Sequence, residues 1–381
     1  MEDSNRFFNF NSKNNNSQSV KDEGLILYKN GRAYSLDFMK RQAVQLAVMM
    51  GRAVPERGVW FNMLHCGDFI ITGVDENGDR RIVEANFCKA RLCPLCQHRK
   101  SAKARAQVFD IVNHLEGYSY IFLTLTMKNE AIADSTISAA LERLSKAWQR
   151  FTQRKRVRDT VLGYYKSVEL TVDFNERISD DMYRAARKYY DERGLKAGDY
   201  NPNYYFFHPH IHAILAVPER YLSNPGRLYI SQREFSELWR DALRVDYTPI
   251  CDVRRIKRQR GEDETSGEEL RAVLEVTKYC TKSADILAGD TSEDIKIMGL
   301  REIYYGTFGK RFASLGGVFK DMHKELGLSD IESEDEDENE KRLSYTDIQG
   351  FAWQYGVSGG KYVRNAMTEK MYKQLVKDRG Y

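Results

Sequence analysis

The sequence predicts an α+β protein with one central sheet and a small cysteine-rich module before it. Strand-like segments alternate with helical ones across residues 118–288, an alternation that by itself also leaves an α/β arrangement open. Four of the six cysteines fall within the 31 residues from Cys66 to Cys96. No run of about 18 apolar residues and no secretory signal occurs, so we expect a cytoplasmic protein without a membrane partner.

Composition divides the chain into five expected segments. Residues 1–30 are rich in Asn, Ser and charge, which predicts a disordered tail. Residues 31–115 are expected to hold an N-terminal helix and the zinc-binding cysteine module, and residues 116–327 the larger sheet domain. Residues 328–342 are predicted to be an acidic linker, and residues 343–381 a helical C-terminal segment.

The net charge of +4 conceals an uneven distribution. Residues 329–340 carry eight acidic side chains and no basic one, so the rest of the chain carries +12. Three runs concentrate basic residues without any acid: 89–105, 143–158 and 254–260. Such patches are typical of proteins that bind a polyanion, although solvated helix faces have the same composition. The side chains predicted to contact DNA are Arg99, Lys100, Lys103, Arg154, Lys155, Arg156, Arg254, Arg255 and Lys257.

A histidine-rich strand is predicted at residues 208–215, which read HPHIHAIL. Alternate side chains of a strand share a face, so the three histidines point one way and the apolar residues point into a core. The strand predicted at residues 164–172 divides in the same way, with Glu169 on its polar side. If the strands are neighbours, His210, His212 and Glu169 can hold one divalent metal ion and leave positions open for substrate oxygens. The alternatives are surface histidines with local hydrogen bonds, or a histidine-triad nucleotide hydrolase, whose His-x-His-x-His pattern this strand resembles.

Residues 268–288, here called the tyrosine segment, have the periodicity of an amphipathic helix. The side of this helix opposite its apolar residues carries Glu275, Lys278, Tyr279 and Lys282. Residues three and four apart are neighbours on a helix surface, so the side chains of Tyr279 and Glu275 can both reach one phosphate group. A tyrosine with a pKa of about 10 is ionised in about one molecule per thousand at pH 7, and the two lysines would favour its phenolate. Tyr279 is therefore a candidate nucleophile and Glu275 a candidate general base, with a surface helix held by ordinary ion pairs as the alternative.

The cysteine cluster suits a tetrahedral zinc ion, with the predicted ligands Cys66, Cys88, Cys93 and Cys96. His65 and His98 are substitute ligands within the same segment. The Cys-x4-Cys-x2-Cys spacing also occurs in plant-type iron–sulfur proteins, which place the fourth cysteine downstream, where the next one here is Cys251. We expect structural zinc, with unliganded core cysteines as a further alternative.

Three motifs follow one another in the chain: FLTLT at 122–126, HPHIH at 208–212 and EVTKYCTK at 275–282. In this combination the sequence resembles rolling-circle replication initiators of the HUH endonuclease superfamily. Within that superfamily it resembles plasmid initiators that have a single catalytic tyrosine, a glutamate four residues before it and a cysteine-rich N-terminal segment. The resemblance extends roughly over residues 66–320, including the stretch from Lys310-Arg311 to Gly316-Gly317.

The resemblance implies a five-stranded antiparallel sheet that carries the two histidines, with the tyrosine helix packed beside them. It implies Mg²⁺- or Mn²⁺-dependent, strand-specific nicking at a plasmid double-strand origin. Tyr279 would become joined to the 5′ phosphate and free a 3′ hydroxyl for polymerase, and Glu275 would direct a closing cleavage by water.

The partners that this implies are origin DNA, as a hairpin or a single-stranded nick site, and the host helicase and polymerase. A separate helicase is expected because the sequence has no Gly-x4-Gly-Lys-Ser/Thr loop. A homodimer is left open. The alternatives are a relaxase or single-strand transposase of the same superfamily, and a zinc-containing DNA-binding protein without catalysis.

Overall fold

The computed structural model describes residues 25–29, 32–133, 135–221, 223, 228–256, 273, 275–277, 283–333, 345–356 and 359–378. Most of the predicted N-terminal tail and most of the acidic linker lie outside these residues. Four of the predicted site residues also lie outside them: Lys257, Lys278, Tyr279 and Lys282.

The described strands, in chain order, are β1 (Ile26–Lys29), β2 (Arg32–Ser35), β3 (Phe69–Val74), β4 (Arg80–Ala85), β5 (Tyr118–Thr126), β6 (Glu130–Ala131), β7 (Gly163–Val172), β8 (Phe206–Pro218), β9 (Cys251–Ile256), β10 (Ala313–Gly317), β11 (Thr346–Gln354) and β12 (Lys361–Arg364).

The described helices are α1 (Leu36–Ala53), α2 (Val59–Leu64), α3 (Pro94–His114), α4 (Ile137–Gln153), α5 (Lys155–Arg158), α6 (Asp180–Ala185), α7 (Arg187–Asp191), α8 (Gln232–Leu243), α9 (Ser283–Ala288), α10 (Glu293–Thr307), α11 (Val318–Glu325) and α12 (Ala366–Asp378). Single 3-10 turns occur at Pro55–Arg57 and Glu219–Tyr221. None of these described helices is long and apolar enough to cross a membrane.

A six-stranded sheet lies at the centre of the fold. Five strands follow the order β10-β7-β8-β5-β9, and the two-residue β6 pairs with the start of β8. Every neighbouring pair is antiparallel. The prediction of an α+β fold with an antiparallel sheet is therefore confirmed, and β6 is an additional strand that the sequence did not indicate.

The central sheet has two unlike faces because side chains alternate along each strand. On the first face, Ile211, Ala213 and Leu215 of β8 are buried beneath helices that include α4. On the second face, Phe122 and Ile214 join another core with residues of α3 and α11. Past these residues, one end of the second face is polar and carries the predicted metal ligands.

Four helices of the first core, α1, α4, α8 and α10, begin at a serine or threonine whose side chain accepts a hydrogen bond from the backbone of the first turn. Each such cap satisfies one of the free N–H groups at a helix start and contributes about 1 kcal/mol. The caps are Ser35, Thr136, Ser231 and Ser292. They fix where the helices start, and the periodic apolar residues fix which side faces the sheet.

The C-terminal segment differs from its prediction. Residues 343–381 are expected to be helical, but β11 and β12 precede α12 and extend the β3–β4 hairpin into a second sheet of order β12-β11-β3-β4. Local periodicity could not show this, because β11 is defined by its pairing with a strand more than 250 residues earlier in the chain. Tyr362 of β12 completes the junction by donating a hydrogen bond to the carbonyl of Gly67 at 2.6 Å.

The edge of the central sheet requires glycine where β10 ends. Gly317 has φ 55° and ψ −140°, a region that is essentially restricted to glycine. A Cβ at this position would lie 2.0 Å from the carbonyl oxygen of Leu162. The close approach of β10 to the chain before β7 therefore accounts for the second glycine of the Gly316-Gly317 pair.

We predict that Gly317→Ala lowers the free energy of unfolding by about 3 kcal/mol or more, because backbone strain and a backbone clash add together. The matched control is Gly327→Ala. Gly327 also has a positive φ of 62°, but an added Cβ would meet open space, so this variant should lower the free energy of unfolding by about 1 kcal/mol. Thermal unfolding of both variants measures the difference. Equal midpoints for the two variants would contradict the close approach at Gly317.

Candidate metal centres

Three ligand atoms converge at the polar end of the central sheet. Glu169 on β7 lies directly opposite His210 on β8, and His212 follows on the same face of β8. The carboxylate oxygen Glu169 Oε2 lies 3.2 Å from His210 Nε2 and 3.1 Å from His212 Nε2. Glu169 and His212 are buried, whereas the His210 side chain is 20% exposed. Solvent therefore reaches this group, here called the Glu-His-His group, past His210.

Hydrogen bonds behind the imidazoles decide which ring nitrogens face the carboxylate. His212 Nδ1 lies 3.0 Å from Thr124 Oγ1, and His210 Nδ1 lies 3.3 Å from the backbone oxygen of His208. A carbonyl only accepts, so in this contact His210 Nδ1 carries the proton and a neutral ring presents an unprotonated Nε2. The lone pair of that nitrogen then faces a carboxylate oxygen, which favours a cation between them.

The donor set of the Glu-His-His group suits a divalent metal ion. Two imidazoles and one carboxylate leave further coordination positions open. Ligand atoms about 2.1 Å from an octahedral ion lie about 3 Å from one another. The observed separations from Glu169 Oε2 are 3.1 and 3.2 Å, which fits this geometry. The carboxylate expected from strand parity, Glu169, is the one that the structure brings to the two histidines.

One row of opposed residues crosses the five long strands of the sheet at His212; this central row consists of Asp252, Thr124, His212, Ser167 and Ala313. On one side of the central row, residues such as Phe122 and Ile214 pack in the second core, and the ring of Phe122 stacks on His212 at 5.6 Å. On the other side lie Glu169 and His210. The central row is thus the boundary between a packed core and the Glu-His-His group.

The tyrosine segment packs on the central sheet over the short stretch that the structure describes. Val273, Val276 and Thr277 are buried, and Glu275 is half-buried. Ser167 Oγ donates a hydrogen bond to the backbone oxygen of Val276 at 2.5 Å. This contact holds the segment against β7, the strand that carries the carboxylate of the Glu-His-His group.

A second group of ligand atoms lies in the cysteine-rich part of the chain: the Sγ atoms of Cys66, Cys88, Cys93 and Cys96. Cys66 Sγ lies 3.5 Å from Cys93 Sγ and 3.6 Å from Cys96 Sγ, and Cys88 Sγ lies 3.7 Å from Cys96 Sγ. Four sulfurs at about 2.3 Å from a tetrahedral zinc ion lie about 3.8 Å apart. The four-cysteine group therefore fits one ion rather than a multi-iron cluster, and its cysteines form no disulfide.

Backbone donors and a helix start assemble the four-cysteine group. Cys93 is the N-terminal cap of α3, and Cys96 lies in its first turn, where helix N–H groups favour negative charge. The N–H of Cys88 points at Cys66 Sγ at 3.3 Å. Hydrogen bonds from Cys66 and the other thiols hold the pKa of Cys88 below its ordinary value, whereas those with Cys66 and Cys88 raise the pKa of Cys93. Since four adjacent thiols cannot all ionise without a compensating charge, the group is suited to a shared cation.

The substitute ligands are placed elsewhere. Cys251, which a downstream iron–sulfur arrangement would use, lies on β9 outside the four-cysteine group, and burial raises its pKa to about 12. His65 Nδ1 pairs with Asp68 Oδ2 at 2.7 Å. Neither His65 nor His98 belongs to the group of ligand atoms among the residues described.

Two basic residues anchor the four-cysteine group to the rest of the fold. The fully buried Lys40 donates hydrogen bonds from Nζ to the carbonyl of Cys66 at 2.8 Å and to Asp68 Oδ1 at 2.7 Å. Arg91, in the loop between the second and third cysteines, lies over the ring of Phe312 at 4.2 Å. The backbone oxygen of Phe312 accepts a hydrogen bond from Val168, the neighbour of Glu169. A short chain of contacts therefore joins the four-cysteine group to the Glu-His-His group.

The predicted DNA contacts fall into different surroundings. Arg254 lies on the second face, over the ring of Phe122 at 6.0 Å, and pairs with Asp252. Arg255 is exposed on the opposite face of β9. Lys103 of α3 donates hydrogen bonds to Ser333 and thereby holds the start of the acidic stretch. Arg99 of α3 lies over the ring of Phe87 at 5.0 Å, and Lys100 lies on the same helix.

Three other predicted DNA contacts lie near the end of the sheet that is remote from the Glu-His-His group: Arg154, Lys155 and Arg156. They precede the start of β7, whose Gly163 pairs with Ala216, six residues along β8 from His210. That separation is about 20 Å along the strand. The side chain of Arg156 pairs with Glu234 at 2.6 Å, so it also serves the fold.

Thr124, Ser167 and Arg91 have structural roles that the sequence did not indicate. The first two lie on polar faces that alternation predicts, but their contacts depend on which strand lies opposite and in which register. Arg91 stands out in sequence only as one of several basic residues near the cysteines.

Comparison with known proteins identifies the family of this chain. A family model described as "Replication protein" (Rep_1) matches residues 79–363. A "Protein rep" from Bacillus amyloliquefaciens is 31% identical, over 68% of this chain and 70% of its own length. A "Protein rep" from Streptococcus pneumoniae is 30% identical, over 74% and 78%, and a "Replication protein" from Staphylococcus aureus is 25% identical, over 64% and 89%. No solved structure gives a significant match. Since the family model spans well over half of the chain, this protein belongs to the Rep_1 replication protein family.

Proposed function

We propose that this protein is a plasmid rolling-circle replication initiator that nicks one strand of the double-strand origin by metal-assisted transesterification. The observation that carries the proposal is the convergence of Glu169, His210 and His212 on one side of the central sheet. Family membership supports a role in replication, and therefore binding of origin DNA.

The Glu-His-His group would hold Mg²⁺ or Mn²⁺, which supplies positive charge to the scissile phosphate. The protein's own contribution is to present two Nε2 atoms and one carboxylate oxygen from adjacent strands. Thr124 supports this arrangement by engaging His212 on its Nδ1 side. Fixing a ligand from behind in this way typically affects metal affinity by about 10- to 100-fold.

Tyr279 would be the nucleophile. It loses its proton, its phenolate attacks the phosphorus, and the bond to the 3′ oxygen breaks. The 3′ oxygen takes up a proton and becomes the hydroxyl that a polymerase extends, while the 5′ phosphate stays joined to the tyrosine. Tyr279 is three residues from Val276, which limits their Cα separation to about 10 Å. The hydrogen bond that ties Val276 to β7, the strand of Glu169, supports this assignment.

Glu275 would serve the closing cleavage as a general base for water. Its half-buried position in the described part of the tyrosine segment leaves part of its side chain open to solvent. Lys278 and Lys282 would lower the pKa of Tyr279 and neutralise phosphate charge. The basic residues Arg99, Lys100, Arg254 and Arg255 would contact the DNA backbone.

The four-cysteine group would hold a structural zinc ion. The sulfur spacing, the absence of a disulfide among these cysteines and the backbone donors to sulfur all support this assignment. A host helicase and polymerase would act with the initiator. A relaxase or single-strand transposase would use the same Glu-His-His group on a different DNA, whereas a purely DNA-binding protein leaves this buried group without a purpose.

We predict that the protein forms a covalent adduct with origin DNA in Mn²⁺ and that Tyr279→Phe abolishes it, because phenylalanine has no oxygen to join to phosphorus. The measurement is a denaturing gel of protein incubated with single-stranded or supercoiled origin DNA. An adduct that persists in Tyr279→Phe would refute the proposed mechanism, as would the absence of any adduct between the wild type and cognate origin DNA.

We predict that His210→Ala and His212→Ala each reduce the nicking rate by about 100-fold or more while DNA binding persists. His208→Ala is the matched control, because it keeps the backbone oxygen that supports His210 and its side chain is outside the Glu-His-His group. Nicking of supercoiled plasmid and a filter-binding assay measure the two properties. Equal losses in all three variants would argue against a metal held by His210 and His212.

We predict about one zinc atom per purified chain, lost when Cys93 and Cys96 are changed to Ser. Cys251→Ser is the control and should retain the metal, since Cys251 lies outside the four-cysteine group. Elemental analysis by mass spectrometry gives the ratio. Retention of zinc by the Cys93→Ser, Cys96→Ser double variant would refute this ligand set.

A further inference from the structure

Ser167 is a buried polar residue that the proposed chemistry does not yet use. We infer that Ser167 is a positioning residue for nicking, because its hydroxyl ties the tyrosine segment to the strand that carries Glu169. The inference rests on the proposed function and adds to it a residue that is not a member of the Glu-His-His group.

The register places Ser167 at the centre of the site's framework. It lies opposite His212 on one side and opposite Ala313 on the other, and Glu169 is two residues further along the same face of β7. Its side chain points to the tyrosine segment, where Oγ lies 2.5 Å from the backbone oxygen of Val276. One short strand segment therefore contacts both parts of the site, the metal-binding strand and the nucleophile-bearing segment.

The contact with Val276 is suited to fixing distance. Both Ser167 and Val276 are buried, so water does not readily replace the hydroxyl as donor to this carbonyl. Apolar packing of Val273 and Val276 holds the segment on the sheet but permits sliding, whereas one directed hydrogen bond fixes its position along β7. A misplacement of about 1 Å between reacting groups can cost about 100-fold in rate. We therefore expect loss of the Ser167 hydroxyl to slow attack without removing any reacting group.

Thr124 provides a matched comparison within the central row. It flanks His212 from β5 as Ser167 flanks it from β7. Its hydroxyl lies 3.0 Å from His212 Nδ1, whereas the hydroxyl of Ser167 bonds to the tyrosine segment. The two hydroxyls are therefore expected to control separate quantities: Thr124 the metal affinity and Ser167 the rate with metal bound.

The experiment compares the full-length wild type with Ser167→Ala and Thr124→Val. Three measurements are made on each: Mn²⁺ binding to the protein alone by electron paramagnetic resonance, the single-turnover rate of adduct formation at saturating Mn²⁺, and hydrogen exchange of peptides that cover residues 273–277. In Ser167→Ala we expect the rate to fall by about 10- to 100-fold, exchange at 273–277 to quicken and the Mn²⁺ dissociation constant to stay within about twofold. In Thr124→Val we expect that constant to rise by about tenfold or more and exchange at 273–277 to stay unchanged.

The inference is overturned if Ser167→Ala forms adduct at the wild-type rate, or if it weakens Mn²⁺ binding as much as Thr124→Val does. A slower rate without faster exchange at 273–277 also overturns it, because the hydroxyl would then act elsewhere. If the wild type itself forms no adduct, the proposed function fails and this inference fails with it, an outcome distinct from a reactive wild type matched by Ser167→Ala.

Discussion

The register between β7 and β8 is the constraint on which the Glu-His-His group depends. It is fixed by the apolar face of β8, where Ile211, Ala213 and Leu215 are buried against the first core. Because side chains alternate, a slip of one residue would turn this apolar set outward and the histidines inward. The packing energy of the first face therefore positions the chemistry of the second. In the observed register Glu169 lies opposite His210 and within reach of both imidazoles.

The same constraint reaches the four-cysteine group through the edge of the sheet. β10 pairs with β7, and Arg91 of the cysteine-rich loop lies over the ring of Phe312, the residue immediately before β10. Arg91 also donates a hydrogen bond to the carbonyl of Lys310 at 2.6 Å. An ion held by four cysteines would therefore stabilise the loop that braces this edge. Under the proposed function the two groups have separate tasks: the buried, closed group would support the fold, and the more open group would act on the phosphate.

Sequence patterns predicted the features that are determined within a single strand, helix or loop. Alternation indicated the strands and placed Glu169 on the correct face, and cysteine spacing indicated the four sulfurs that the structure brings together. Long-range pairing was not predictable: residues 343–381 were expected to be helical because β3, the partner of β11, lies far away in the chain, and β12 pairs in turn with β11. The basic runs likewise gave a composition but no location. Arg156 was therefore grouped with Arg254, although Arg156 pairs with Glu234 of α8 and Arg254 lies over Phe122 on the second face of the sheet.

The Glu-His-His group also costs stability, which bears on why it lies at the end of the sheet. A buried carboxylate beside two imidazoles is unfavourable unless a cation balances it. Within the sheet interior that cost would fall on the same residues that hold the register. Here the central row separates the packed core from the Glu-His-His group. Phe122 and Ile214 pack in the core on one side of the row, and on the other side solvent reaches the polar residues past His210. A site placed at this boundary gains rigid strands from the core and access for metal and DNA from the surface.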